Sequence, residues 1–518
     1  VKFGRGNRCM QEVKVLTAEE KQREIEKIQA DKRFVGHPVG VLTIGLKFMC
    51  NSFSYYGLTS ILIYYLYAAL PAGLGLTKTE ASQLLSLYYA LVIICGVIGS
   101  YMADRVFGPR MAIRLTCIVM PIAYLLLAIP GLGIVGYAGA QGMMLFSSML
   151  GGRSMDALTA KLYKKGDTRK DSAFAITYVI SNIGACVPGI TGTIALVAGY
   201  HTAFLACAVF SLIGSIFFVV SEKKSFGIIG TEPDDPLPPA ERRTAVLKLI
   251  AGVAVVAALL SFLFTNRIIT ITQFANAVSS VGVVAPVAYL LYIMLSPKTT
   301  KEERARLVYI IPMFIAVSFT LLVNYQATTV LAIYAETNVN RNLFGFEITP
   351  AAYWTLNAFF AVIFGAVLTG IWGKLGKKQP STPAKMGIGT ALYGISILFM
   401  IIPFKLFPPD VKVSPMWLVV FFAIMTIGEA IVTPAGESAA SHVAPAAFST
   451  QMMTVWAMGQ STGASLSSLV VNFYREGSES LYFLAIGAAV TLCGAIVVIF
   501  SKKLAKGMGI GTVREGEN

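Results

Sequence analysis

Phe174-Ala-Ile-Thr-Tyr178-Val-Ile-Ser-Asn182-Ile-Gly184-Ala185 sets a lone amide and a patch of small residues inside an otherwise apolar run. Hydrocarbon offers an amide no partner, so Asn182 is expected to face another helix or a watery cavity. Gly184 and Ala185 have almost no side chain, which lets a neighbouring backbone come close. The run belongs to a segment of roughly 171–199, and about 20 apolar residues suffice for a helix to cross a bilayer.

Such runs recur along nearly all of the 518 residues. Hydrophobic residues make up 55% and charged residues 13%, about half the charged share of a soluble protein, and mean hydropathy is +0.68. The chain therefore reads as an all-α, polytopic membrane protein. A net charge of +15 invites nucleic acid as a partner, but its placement argues against one. Lys and Arg gather in alternate connections: Arg105 to Arg114, Lys161 to Lys170, Arg242 to Lys248, Lys298 to Arg306, Lys374 to Lys378, and Lys502 to Lys506. The intervening loops carry few, such as Lys78, Arg341, Lys405 and Arg475. By the positive-inside rule both termini are cytoplasmic, so the charge reports topology in a plasma (inner) membrane. The seven cysteines show no CxxC or metal spacing and read as small apolar packing. No cleavable signal peptide is visible in the polar first 37 residues, and Met10 offers an alternative start with Val1 to Cys9 as an extension.

Glu19 to Asp31 reads as a short charged helix or tail. Six spans follow at roughly 38–68, 79–104, 110–130, 136–162, 171–199 and 202–221. A linker with Pro236, Pro238 and Pro239 leads to two more, at about 245–264 and 274–296. Six further spans run at about 304–334, 351–375, 384–404, 415–435, 447–473 and 479–502. The expected organisation is a cytoplasmic tail (1–37), a six-helix bundle (38–221), a linker with two additional helices (222–303), a second six-helix bundle (304–502) and a tail (503–518). The total of about fourteen is even, which agrees with both ends inside.

Several stretches go beyond hydropathy. Gly96-Val-Ile-Gly99-Ser-Tyr-Met-Ala103-Asp104-Arg105-Val-Phe-Gly108-Pro-Arg110 closes the second span. Its glycines permit tight helix contact, and Asp104 can accept from amides and arginines at the membrane edge, a latch between two halves. Phe53-Ser-Tyr55-Tyr56-Gly57, Thr355-Leu356-Asn357, Gly428-Glu429 with Pro434 and Gly436, and Met452-Met453-Thr454-Val455-Trp456 lie in the first, eighth, tenth and eleventh bundle helices. Together with the 174–185 run and the junction Ala160-Lys161-Leu162-Tyr163, Gly166-Asp167, Asp171-Ser172-Ala173-Phe174, they resemble the proton-dependent oligopeptide transporter (POT) family. The resemblance covers most of residues 40–500. It implies the major facilitator fold, two pseudo-symmetric bundles around a central cavity, with the extra helix pair seen in bacterial members.

The departures are equally specific. The family's ExxER element, which serves proton coupling, falls on Phe48-Met-Cys-Asn51-Ser52, without carboxylate or Arg. Thr59 stands where an Arg is common, Ala358 and Thr433 replace the usual Pro and Ser, and Gly152-Arg153 aligns with a Lys-Pro pair. The seventh bundle helix shows Val323-Asn324-Tyr325-Gln326 where an acid is usual. Asn and Ser do not exchange protons near neutral pH, so coupling is expected to be altered or lost.

Ionisable groups within spans cost about 2.5–3.5 kcal/mol each at mid-helix, which makes them functional candidates. Glu429 lies deep in the tenth bundle helix, and the resemblance implies that it faces the cavity and meets a substrate amine. Lys47, Arg153 and Asp156 form a second group: Lys47 either pairs with Asp156, leaving Arg153 for substrate, or snorkels to the interface. Tyr55, Tyr56, Tyr88, Tyr89 and Trp456 offer flat faces with polar tips for a pocket or for packing. His37, His201 and His442 fall at helix ends and read as interfacial.

No Walker motif, metal cluster or catalytic triad appears, which argues against an enzyme or ATP-driven pump, and no cofactor is expected. The expected function is secondary transport of small peptides, or peptide-like solutes bearing an amine, by alternating access. Expected partners are that solute, protons and the bilayer. The expected substrate-binding residues are Tyr55, Tyr56, Arg153, Asn182, Asn357, Glu429 and Trp456; Lys47, Asp156, Glu429, Asp104 and Arg105 are expected to couple or gate. Transport or export of a non-peptide small molecule, or a nutrient sensor that keeps the fold without turnover, stands as the alternative.

Overall fold

The computed structural model describes residues 17–510, apart from 165, 166, 168, 234, 235, 344, 376, 377, 409, 410, 446, 447 and 476. Cys9, Met10, Gly166 and the last eight residues of the tail thus lie outside it. Thr17 and Glu20 close a capping box at the start of α1 (Ala18–Gln29), a polar helix outside the membrane. The chain then enters α2 (Val39–Tyr67), α3 (Lys78–Met102), α4 (Pro109–Ala128) and α5 (Gly133–Lys161). Next come α6 (Arg169–Ala185), α7 (Pro188–Ala198) and α8 (Tyr200–Phe226). The expected single segment over 171–199 breaks between α6 and α7, because Pro188 has no N–H to continue the ladder.

After the linker come α9 (Pro239–Thr265) and α10 (Ile271–Leu295). The expected 304–334 span is divided into α11 (Lys301–Val308), α12 (Ile311–Thr328) and α13 (Val330–Thr337), with breaks at Tyr309–Ile310 and at Thr329. A two-residue antiparallel hairpin pairs Asn342 with Glu347. The rest is α14 (Tyr353–Leu375), α15 (Thr382–Phe399), α16 (Ile401–Leu406), α17 (Met416–Val443), α18 (Ser449–Val470), α19 (Glu479–Ile499) and α20 (Ser501–Met508). Ten described helices or helix runs are long and apolar enough to cross a membrane. With α2, α3, α5 and α18, of 29, 25, 29 and 22 residues, about fourteen crossings result.

In the first bundle α2 packs on α6 and α8, α4 on α5 and α8, and α3 on α5. In the second, α15 packs on α17 and α19, α12 on α15 and α18, and α14 on α17. Small residues set these distances: a Cβ on Gly99 would lie 1.8 Å from the Met149 carbonyl, and one on Gly184 2.1 Å from that of Met49. The small-residue reading of the 174–185 run therefore describes a backbone contact between α6 and α2. Buried at the Val39 end of the first bundle, Glu222 of α8 takes Arg110 at 3.4 Å and Arg114 at 2.6 Å.

Packing between the bundles gathers along α3–α18 and at the Tyr67 end of α2. There Tyr64 Oη donates to the Ala332 carbonyl at 3.2 Å, and Tyr67 Oη donates to the Glu336 carboxylate. A Cβ on Gly192 of α7 would meet the Thr349 side chain, Oγ1 at 2.5 Å, so this corner too is closely packed. Beyond it lies a cleft of about 460 Å³ lined by Tyr67, Lys78, Tyr474 and Arg475.

Candidate functional site

The site is built from the middle of α2 and the middle of α17, facing one another across the two bundles. On α17, Gly428 presses against α15: its Cβ position lies 2.8 Å from the Gly389 carbonyl and 2.9 Å from Tyr393 Cδ2. The next residue is turned about 100° round the helix, which carries Glu429 off that contact face. Thr426 Oγ1 donates to Asn357 Oδ1 at 2.7 Å, leaving the Asn357 Nδ2 for the Glu429 carboxylate. Glu429 Oε2 is buried and has no hydrogen-bond partner among the described residues. Tyr56 of α2 and Tyr393 of α15 lie close enough to couple to its charge. One oxygen held and the other unmet is the arrangement of a receptor for a cationic or hydrogen-bond-donating group.

On the opposite wall, the Tyr55 and Tyr56 rings meet edge-on with centroids 5.2 Å apart. Behind them Tyr89 of α3 reaches Tyr325 of α12 across the bundles, centroids 4.8 Å apart. Thr59, in the place of the family's Arg, turns its hydroxyl onto the Tyr55 carbonyl at 2.9 Å. Ser52 and Ser181 share a 2.7 Å hydrogen bond that ties α2 to α6 beneath the tyrosines.

Other expected residues are placed differently. Lys47 is not paired with Asp156. It is 1% exposed and donates to Ser215 Oγ on α8 at 3.0 Å, with the Cys50 and Cys117 thiols beside it. The rotation of α2 directs it toward α8 and α4 rather than toward α5. Asn182 spends its amide locally, Nδ2 donating to the Tyr178 carbonyl one turn back at 2.9 Å, while the residue stays part-exposed. Trp456 is 7% exposed; it packs over Gly436, whose Cβ position is 2.3 Å from Trp456 Cζ2, and edge-on to Phe314, in the core of the second bundle. The Arg105 guanidinium lies over the Tyr101 ring, 5.9 Å from its centroid. The side chains of Asp104 and Arg153 lie outside the described residues. His37 is not merely interfacial: it is buried, with Nδ1 2.7 Å from Tyr163 Oη and Nε2 3.3 Å from Ser172 Oγ. Burial and the nearby Arg169 hold its pKa below the usual histidine value.

Nothing in the sequence marks Thr426, Tyr393 or Tyr325 as a site residue. Tyr325 stands inside the Val323-Asn324-Tyr325-Gln326 stretch, where the missing acid was the visible feature and the aromatic was not.

The family model described as POT family matches residues 154–492. The chain belongs to the POT family. An uncharacterized transporter of Bacillus subtilis, YclF, is 34% identical over 479 residues, covering 92% of this chain and 96% of the relative. The di-/tripeptide transporter of Lactococcus lactis subsp. cremoris is 32% identical over 93% of this chain and 98% of its own. The crystal structure of a peptide transporter POT in complex with sulfate superposes with a TM-score of 0.89 at 34% identity, covering 93% of this chain and 99% of that one. A POT family transporter in complex with 5-aminolevulinic acid gives 0.86 at 30% identity over 93% and 99%. The architecture is therefore the major facilitator fold, two six-helix bundles with an additional helix pair, in a multi-pass membrane protein.

Proposed function

We propose that this POT-family protein is a secondary transporter moving small peptides, or peptide-like solutes bearing an amine, across the plasma membrane by alternating access. Segments 38–221 and 304–502 are the bundles that rock. The Lys and Arg asymmetry makes the Val39 end cytoplasmic, so packing gathered at the Tyr67 end corresponds to an inward-facing arrangement. The observation that carries the reading is Glu429 Oε2, buried and unmet, opposite Tyr56. A substrate ammonium satisfies it. Relatives whose names or bound ligands are peptides or 5-aminolevulinic acid fit the same amine chemistry.

Asn357 orients the carboxylate, and Asn182 and Asn357 exchange hydrogen bonds with the substrate's backbone-like amides. Tyr55 and Tyr56 cover its apolar parts and Arg153 takes its acidic end. Glu429, Lys47 and Asp156 are the groups through which protons act, in a route altered from the family's because Phe48–Ser52 holds no carboxylate. Asp104 and Arg105 gate the cytoplasmic end.

The test is uptake of labelled dialanine into proteoliposomes, with and without an imposed proton gradient. A charge-assisted hydrogen bond contributes about 1.5–3 kcal/mol, so Glu429→Gln is expected to cut saturable uptake by roughly 10–150-fold. Unchanged uptake in Glu429→Gln would remove the carboxylate from substrate recognition.

A further inference from the structure

The accessory helices are not equivalent. α9 has no buried residue, whereas α10 is packed along its length against α18 and, in its first half, against α3. We propose that α10 is a strap across the two bundles, holding the Tyr67 end shut through one part-buried amide cluster. The inference rests on the alternating-access reading above.

Asn276 of α10 is the hub. Its Oδ1 accepts from Gln83 Nε2 of α3 at 3.3 Å and from Asn472 Nδ2, just beyond α18, at 2.9 Å. Gln83 Nε2 also donates to Asn472 Oδ1 at 2.9 Å. One amide thus comes from each bundle and one from the accessory helix. The remainder of α10 is bound to the second bundle. Thr462 Oγ1 donates to the Gly282 carbonyl at 3.3 Å, and a Cβ on Gly282 would lie 2.1 Å from Ser465 Oγ. Leu290 and Ile293 sit in one core with Leu307 and Phe314. When the bundles part at this end, α10 travels with the second, and the Gln83 bonds are the ones that break.

Gln83 is completely buried, so release would strand an amide in apolar surroundings unless another partner receives it. The seam supplies them. Ser82, Ser279, Ser465 and Ser468 each hold a buried hydroxyl without a partner among the described residues. They lie beside rungs already made, Ser86 to Ser467 at 3.3 Å and Ser461 to the Ala90 carbonyl at 3.0 Å. Spare acceptors along the α3–α18 seam let the strap exchange partners as the bundles move, which suits a latch better than permanent glue.

The test uses the full chain in nanodiscs, in a background without native cysteines, with spin labels at the exposed positions Thr202 and Lys412, one on each bundle at the Tyr67 end. Asn276→Leu removes the hub acceptor at similar volume. One interhelical hydrogen bond in a membrane shifts an equilibrium by about three-fold, so the long-distance, open population is expected to rise by about that factor. Gln83→Leu breaks the latch from the other bundle and is expected to give the same rise, while Val281→Ala, on the exposed face of α10, leaves the distances unchanged. Unaltered distance distributions in both Asn276→Leu and Gln83→Leu overturn the strap. The measurement needs no substrate: absent dialanine uptake with shifted distances would sink the substrate reading alone, and normal uptake with unshifted distances the strap alone.

Discussion

Substitution of Gly184 by Ala tests whether the α6–α2 crossing depends on backbone proximity. An added Cβ would stand 2.1 Å from the Met49 carbonyl oxygen, 2.9 Å from its carbon and 3.1 Å from the Met49 Cα. Ordinary contact begins at 3.4 Å, so the helices must part by roughly 1.3 Å, the difference of 3.4 and 2.1. The obstacle is backbone and cannot rotate aside. Overpacking of this kind costs about 1–3 kcal/mol. It also pulls on the 2.7 Å Ser52–Ser181 bond and displaces the helix that carries Tyr55 and Tyr56. Gly142→Ala is the matched control, since its Cβ meets nothing within 4 Å. Thermal unfolding in detergent is expected to show a Tm roughly 2–10 °C lower for Gly184→Ala and no loss for Gly142→Ala. Dialanine uptake should fall in the first and hold in the second. A Gly184→Ala protein that melts and transports like wild type would refute the steric reasoning.

Three further outcomes follow from the same geometry. Tyr67→Phe removes the hydroxyl that reaches Glu336 between the bundles; spin-label distances across that end should shift toward the open form by about three-fold, and an unchanged distribution would show that the contact does not hold the gate. Lys47→Met replaces a buried cation, whose hydrogen bond is to Ser215, by an apolar chain of similar length. Tm is expected to stay level or rise, because no buried carboxylate is left unpaired, while acceleration of uptake by a proton gradient is lost; retained acceleration would take Lys47 out of the coupling route. Outside the membrane, the Arg33 side chain and the Val39 N–H hold the Asp31 carboxyl down at about 2 from its usual 3.8. A depressed carboxyl stabilises the fold above its unfolded value, and that contribution disappears as pH falls from about 4 toward 2. Asp31→Asn should therefore flatten the acid limb of a stability-versus-pH curve; an identical limb in the variant would contradict the assignment.

The acidic residue of the site was visible in the chain because a charge inside an apolar run stands out, and Glu429 is such a charge. Its partner Asn357 was visible through a short motif, but Thr426, Tyr393 and Tyr325 were not, since a Thr or Tyr in a membrane helix has no contrast against its background. Trp456 shows the converse. A motif position drew attention to it, and the fold packs it over Gly436.

Hydropathy indicated the apolar spans and their count of about fourteen, and small residues marked where helices touch closely. The bilayer's thickness sets helix length, and Gly184 or Gly428 can be recognised wherever backbones have to meet. Tertiary structure decided which way each helix turns about its axis and therefore which side chains meet. Lys47 lies on the face of α2 toward Ser215 instead of Asp156, and Gln83, Asn276 and Asn472 converge from positions far apart in the chain. Within the membrane both lipid and protein are apolar, so sequence polarity marks a helix's rotation only weakly. Close packing and the pairing of a few polar groups select it.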